Sequence, residues 1–156
     1  MNNKVEELKK ALSLFRHKSR GKVQFAEVDT YGVVHNIKYF YWLEAARTEY
    51  FSDLLTHLDP KNFLNEVPFM VVHAEIDYYS SARFNDIYNV YTRVSSVRNS
   101  SLNFENLITL ANGTPLVSSS AILVQLNVKE SSPQRISDDI RLLLKNYEGE
   151  NIKFLD

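Results

Sequence analysis

The chain has 156 residues, 44% of them apolar and 24% charged, with a net charge of −1; this suits one domain with a sizeable core and gives no bulk attraction for nucleic acid or anionic lipid. It contains no cysteine, which excludes a thiol nucleophile, a disulfide framework and a cysteine-based zinc site. The N-terminal stretch carries Lys, Glu and Arg every few residues, unlike a signal peptide, and no segment reaches the ~18 uninterrupted apolar residues of a membrane span, so a cytoplasmic protein without membrane or nucleic-acid partners is expected.

Val5, Leu8, Leu12 and Phe15 recur at helical spacing and predict an amphipathic helix within residues 1–20, broken at Ser19-Arg20-Gly21. A strand is expected from Val23 to Val28, with Val23 and Phe25 on one face. Ile37 to Leu55 reads as a helix apolar nearly all round, with Asn36 as its N-cap and burial on several sides. It holds Tyr39, Phe40, Tyr41, Trp42, Tyr50 and Phe51, read mainly as core. Asp59-Pro60 ends this region.

Four strands with period-two alternation follow. Their expected inward sets are Met70, Val72, Ala74, Ile76 and Tyr78; Tyr88, Val90, Thr92 and Val94; Leu102, Phe104, Ile108 and Leu110; and Ile122, Val124, Leu126 and Val128. Arg98 to Ser101 reads as a turn, and Asn112-Gly113 as a type I′ hairpin. After Pro133, a last helix shows Ile136, Ile140, Leu143 and Tyr147 on one stripe. The whole chain reads as one α+β domain: an N-terminal helix over 1–20, a core over 22–129 in which an antiparallel sheet wraps a long central helix, and a C-terminal helix and tail over 133–156.

The chemistry-bearing segment is Asp29-Thr30-Tyr31-Gly32-Val33-Val34-His35-Asn36. It sets one carboxylate in a glycine-containing turn before a helix N-terminus, where free N–H groups and a partial positive charge gather. Such a carboxylate can attack a carbonyl or deprotonate a water, while donors nearby hold the oxyanion. The plain structural reading is a turn residue bonding its own backbone. Glu44 is a rival acid that can instead pair with Arg47 or Thr48. His35 either assists Asp29 or faces solvent. His73, Glu75 and Asp77 share a strand face, a spacing open to a metal but also usual for a solvated face; no metal is expected. His17 and His57 have no evident partner. Ser118-Ser119-Ser120 lacks the glycines of a nucleophile elbow, and four glycines in all leave no phosphate-binding loop.

The element order and the pattern Asp29-x-x-Gly32-x-Val34-x-Asn36-x-x-Tyr39, followed by Trp42, Glu44, Ala46 and Arg47, resemble the hotdog-fold thioesterases of the 4-hydroxybenzoyl-CoA thioesterase-like group, over roughly Lys22 to Val128. The resemblance implies hydrolysis of an acyl-CoA or acyl-carrier-protein thioester, with no cofactor beyond the coenzyme A carried by the substrate. It makes Asp29 the nucleophile or general base. It puts Tyr31, Gly32, Val34, His35, Asn36, Tyr39 and Val67 around the substrate, the last through a backbone N–H in the Glu66–Pro68 neighbourhood. It assigns coenzyme A phosphates to Arg98, Ser100 and Ser101. It also implies a homodimer or homotetramer with sites between subunits. The chain departs from the group in having Glu27 where many members have a second Asp, in Tyr31 where a small residue is common, and in few basic residues around Arg98. A thiolate leaves readily, with a pKa of about 8–9, so one carboxylate and oriented N–H groups suffice for a thioester. A non-catalytic acyl-thioester-binding module and a hydratase or dehydratase built on His35 and Asp29 are the alternatives.

Overall fold

The computed structural model describes residues 2–56 and 68–156. The elements are α1 (Asn2–Ala11), β1 (His17–Lys22), α2 (Asn36–Leu54), β2 (Phe69–Tyr78), β3 (Ile87–Val97), β4 (Ser101–Leu110), β5 (Pro115–Asn127), β6 (Ser132–Pro133), α3 (Asp138–Glu148) and β7 (Lys153–Phe154). The main sheet runs in the order β1-β3-β4-β5-β2, all antiparallel, with β6 beside β5 and β7 parallel to β3. One face packs on α2, as expected for a helix wrapped by a sheet. The N-terminal half of α2 buries Tyr39, Trp42, Leu43 and Ala46 with Val23, Val34, Val90, Ile108 and Leu116. Its C-terminal half buries Tyr50, Phe51 and Leu54 with Val94, Phe104 and Leu123, under Ile136 and Leu144 of the C-terminal segment. The opposite sheet face is partly covered by the chain after α1, where the Phe15 ring lies edge-on to Tyr91 at 6.2 Å.

Several expectations need correction. The first strand is His17–Lys22, not Val23–Val28; Phe25–Glu27 is a 3₁₀ turn, and Val28 makes only an isolated bridge with Val34. Ser19-Arg20-Gly21 therefore lies inside the strand. β1 is an edge strand with an open polar side, and Gly21 leaves the space into which the Tyr88 ring packs. Val23 is buried, but Phe25 is 76% exposed. In β2 a bulge between Val71 and His73 turns Met70 outward while Ala74, Ile76 and Tyr78 keep the α2 side. In β5 the α2 side carries Val117, Ala121, Leu123 and Gln125, not Ile122, Val124, Leu126 and Val128; both faces of that strand are apolar, so alternation alone does not orient it. The inward sets of β3 and β4 agree with the structure, Tyr88 and Leu110 being half-buried. The Asn112-Gly113 loop spans four residues and only Gly113 takes a positive φ, +88°, so it is not type I′. α2 is not covered all round: Ile37, Phe40 and Tyr41 are exposed on its first turns.

Candidate active site

Asp29 sits in a tight loop over the start of α2. Its N–H donates to the Val33 carbonyl (2.9 Å) and its carbonyl accepts from Gly32 N–H (3.0 Å). Gly32 has φ +74°, a left-handed conformation that costs other residues about 1–2 kcal/mol. The Asp29 side chain closes the turn: Oδ1 accepts from the N–H groups of Tyr31 (2.8 Å) and Val33 (3.4 Å). Oδ2 accepts no hydrogen bond among the described residues, so the turn leaves one carboxylate oxygen unengaged. Asp29 lines an open cleft of about 600 Å³ together with Phe25, Val28, Thr30, Gly32, His35 and Phe84.

The loop is fastened on both sides. Val34 N–H donates to the Ala82 carbonyl (2.9 Å) and His35 N–H to the Glu27 carbonyl (2.9 Å). The Glu27 carboxylate accepts from Gln24 N–H and from Trp42 Nε1–H, each at 2.8 Å. Trp42 stacks on Tyr88 with ring centroids 3.9 Å apart, and burial together with the Glu27 charge pushes the Tyr88 phenol up to about 12. The structure thus ties Glu27 to Trp42, a partnership sequence spacing does not expose.

His35, not Asn36, occupies the N-cap position, without a capping side-chain bond; Asn36 is the first helical residue. The N–H groups of Asn36 and Ile37 precede the first intrahelical bond and find no acceptor among the described residues, so α2 presents two free donors at the loop. The His35 ring shares the cleft with Asp29 but makes no hydrogen bond to it among the described residues, so the His–carboxylate pair of a hydratase is not assembled. A second opening, of about 320 Å³, lies on the other side of Val34 and Asn36, lined also by Tyr39, Tyr78 and Tyr79. Tyr39 is 2% exposed, and its hydroxyl accepts from Ala82 N–H (3.0 Å), so it braces the site from within the core. Tyr31 is 85% exposed and turned away from the core. Val67 and the adjacent Glu66, like His57, lie outside the described residues.

Arg98 and Ser100 lie in the β3–β4 turn and Ser101 opens β4, all beyond the Val97 end of β3, whereas the Asp29 loop adjoins the Ile87 end through Val23 N–H and the Asp86 carbonyl (2.9 Å). The strand between them is about 33 Å long at ~3.3 Å per residue, so one chain does not bring the two groups together. The turn is clamped from the C-terminal segment. The buried Arg141 guanidinium donates to the carbonyls of Arg98 (2.7 Å) and Asn99 (3.3 Å) and pairs with Asp156 (2.6 Å), and Ile136 N–H donates to the Asn99 carbonyl (2.9 Å). Arg98 and Ser101 border a cleft with Ser96, Asn103 and Ile122.

The other candidate groups separate from this site. Glu44 is exposed and makes no ion pair among the described residues, while Thr48 Oγ1 donates to the Glu44 carbonyl (3.1 Å). His73 and Glu75 are exposed and 3.9 Å apart on the outer sheet face. His17 does have a partner: its buried ring meets Asp53 at 3.1 Å, with Glu49 nearby on α2. Its Nδ1 is buried without a partner. This suits an Nε2–H donor to Asp53 better than a metal ligand, whose second nitrogen would need an acceptor for its proton.

An antiparallel sheet around one long helix, with a lone carboxylate looped over that helix's N-terminus, is a hotdog fold. A model of the thioesterase-like superfamily matches residues 23–143, and the chain belongs to that superfamily. It is 30% identical over 129 residues to the acyl-CoA thioester hydrolase YbgC of Escherichia coli O6:H1, covering 82% of this chain and 93% of the relative. Among solved structures, a thioesterase from Thermus thermophilus complexed with coenzyme A and Zn aligns with a TM-score of 0.77 at 28% identity, over 87% of this chain and 96% of the other. A predicted thioesterase from Bacillus stearothermophilus aligns with a TM-score of 0.74 at 25% identity, over 83% of this chain and 94% of the other.

Proposed function

We propose that the chain hydrolyses an acyl-CoA thioester to a free acid and coenzyme A thiol, with Asp29 as the catalytic carboxylate, in a cytoplasmic homodimer or a higher assembly built from it. The observation that carries this reading is the division of labour on Asp29. Oδ1 is fixed by two backbone N–H groups, and Oδ2 accepts no hydrogen bond among the described residues, on a side chain that lines an open cleft in the loop leading into the α2 N-terminus. The naming of the Escherichia coli relative as an acyl-CoA thioester hydrolase supports the same reaction.

The thioester carbonyl binds with its oxygen toward the α2 N-terminus, where N–H groups and the helix dipole stabilise the developing oxyanion. Oδ2 either takes a proton from a water whose oxygen bonds to the carbonyl carbon, or bonds to that carbon itself. Collapse of the tetrahedral intermediate breaks the C–S bond and expels the thiolate, which is then protonated. In the second route the mixed anhydride is hydrolysed by water. Single-turnover reaction in ¹⁸O-water separates the two routes, because only the anhydride route can place the first labelled oxygen in the Asp29 carboxylate. The acyl group lies against Phe25 and Phe84, whose exposed rings meet edge-to-face at 5.7 Å.

A second copy completes the site. β2 pairs only with β5 among the described residues, and Met70, Val71, Val72 and Tyr78 are exposed along it, an edge that favours pairing. Antiparallel pairing of two β2 edges about a two-fold axis reverses the partner's sheet. The Arg98–Ser101 turn of one copy then comes to the end that carries Asp29 of the other, which supports coenzyme A phosphate binding by Arg98, Ser100 and Ser101 across the dimer. The test is thiol release from acyl-CoAs by the wild type, by Asp29→Asn, by Arg98→Ala and by an unfolded-and-refolded equal mixture of the two variants. Recovery of about a quarter of the wild-type activity in the mixture is the statistical result for two-fold sites shared in this way; no recovery contradicts the shared site, and no thiol release by the wild type contradicts the reaction.

A further inference from the structure

The Asx turn that shapes the Asp29 loop is self-contained and does not by itself fix where the loop stands relative to α2. Among the described residues, the only side-chain hydrogen bond between loop residues 24–34 and α2 joins Glu27 to Trp42 Nε1–H (2.8 Å). The same carboxylate accepts Gln24 N–H (2.8 Å) at the loop's entry, and the Glu27 carbonyl accepts His35 N–H (2.9 Å) at its exit. Glu27 therefore closes both ends of the segment that carries Asp29, two residues further on. Its anchor does not drift: Trp42 is 7% exposed, stacked on Tyr88 with the planes 14° apart and edge-on to Tyr39 at 5.0 Å. Tyr88 in turn occupies the space left by the missing side chain of Gly21.

We infer that Glu27 is a positioning residue, whose carboxylate registers the Asp29 loop on the indole of the central helix and so fixes where the Asp29 carboxylate stands in its cleft. Misplacing a reacting group by about 1 Å can cost about 10²-fold in rate, whereas no hydrogen bond joins this tie to the Arg98–Ser101 segment among the described residues. The inference rests on the hydrolase reading only for its kinetic arm. It has an optical arm as well, because Trp42 is the only tryptophan in the chain.

The experiment compares Glu27→Gln, Trp42→Phe and the double variant with the wild type. Gln offers one acceptor oxygen where Glu offers two, so one of the two side-chain bonds is lost; Phe keeps a ring against Tyr88 but has no N–H. The expected result is a fall in kcat per folded molecule of about tenfold or more in each single variant, KM within about twofold, and no further fall in the double variant. Trp42 emission in Glu27→Gln shifts to the red, and the segment 24–35 becomes more sensitive to protease. Emission and cleavage rate equal to wild type overturn the anchor, as does kcat unchanged in both single variants or losses that multiply in the double. Should the wild type release no thiol, the hydrolase reading fails, and the emission and cleavage arms decide the anchor alone.

Discussion

Gly21→Ala is a demanding test of the packing behind the Asp29 loop. A Cβ at this position falls inside the contact radius of Tyr88 Cζ and Oη. The Tyr88 ring cannot swing aside cheaply, because its other face lies on Trp42 at 3.9 Å. Overpacking of this kind costs about 1–3 kcal/mol, offset by the roughly 0.5–1 kcal/mol that Ala gains over Gly within a strand. A net loss of about 1–2 kcal/mol lowers Tm by about 2–8 °C in a chain of this size. The sign reverses in a Tyr88→Ala background, where the clash is gone and Gly21→Ala becomes stabilising by about 0.5 kcal/mol. Thermal and urea unfolding of the four-member cycle measures both limbs. An equal cost of Gly21→Ala in the two backgrounds refutes the claim that the glycine exists to admit this ring.

Burial of Glu148 holds its carboxyl above the ordinary 4.5; the hydrogen bonds from Tyr50 and Val94 and the charges of Arg93 and Arg16 pull the other way without cancelling the shift. A raised acid binds its proton more tightly in the native state, so its stabilising contribution is full below about pH 4.5 and is lost as pH rises through the raised value. Wild-type stability followed by denaturant unfolding falls across that window, and Glu148→Gln, which has no proton to lose, lacks this part of the slope. Phe84→Ala opens one wall of the Asp29 cleft, so kcat/KM for octanoyl-CoA falls about tenfold more than for acetyl-CoA, as about 1.5 kcal/mol of apolar contact requires; equal losses on both substrates contradict acyl contact at Phe84. Arg141→Ala removes the donors that hold the Arg98 and Asn99 carbonyls. It raises KM for acyl-CoA several-fold in the fraction that stays folded, and an unchanged KM with unchanged kcat disconnects the clamp from substrate binding.

The helix–strand order was legible because α2 and the inward faces of β3 and β4 have strong periodicity, and Val94, Phe104 and Ile108 do sit at 0% exposure. The first strand was misread because His17–Lys22 is polar, an edge strand stabilised by pairing with β3, not by its own apolar residues. β5 was oriented wrongly because Ile122 and Leu123 are equally apolar neighbours, and only pairing with Phe104 through Ala121 settles which faces inward. Asp29 and its glycine turn stood out because their spacing is local. Phe25 and Phe84, or Glu27 and Trp42, meet only once the sheet has closed on α2, and no spacing along the chain encodes such a meeting. Arg141 was hidden for the same reason: 42 residues separate it from the Asn99 carbonyl it holds.

The central claim is that the Asp29 oxygen left free by the turn drives cleavage of the thioester. Steady-state thiol release by Asp29→Asn, run beside circular dichroism and light scattering, tests it most directly. Asn keeps an oxygen for the Tyr31 and Val33 N–H groups, so fold and assembly persist while kcat falls by about 10²–10⁴-fold. Turnover within about threefold of wild type in a well-folded Asp29→Asn protein would contradict the account.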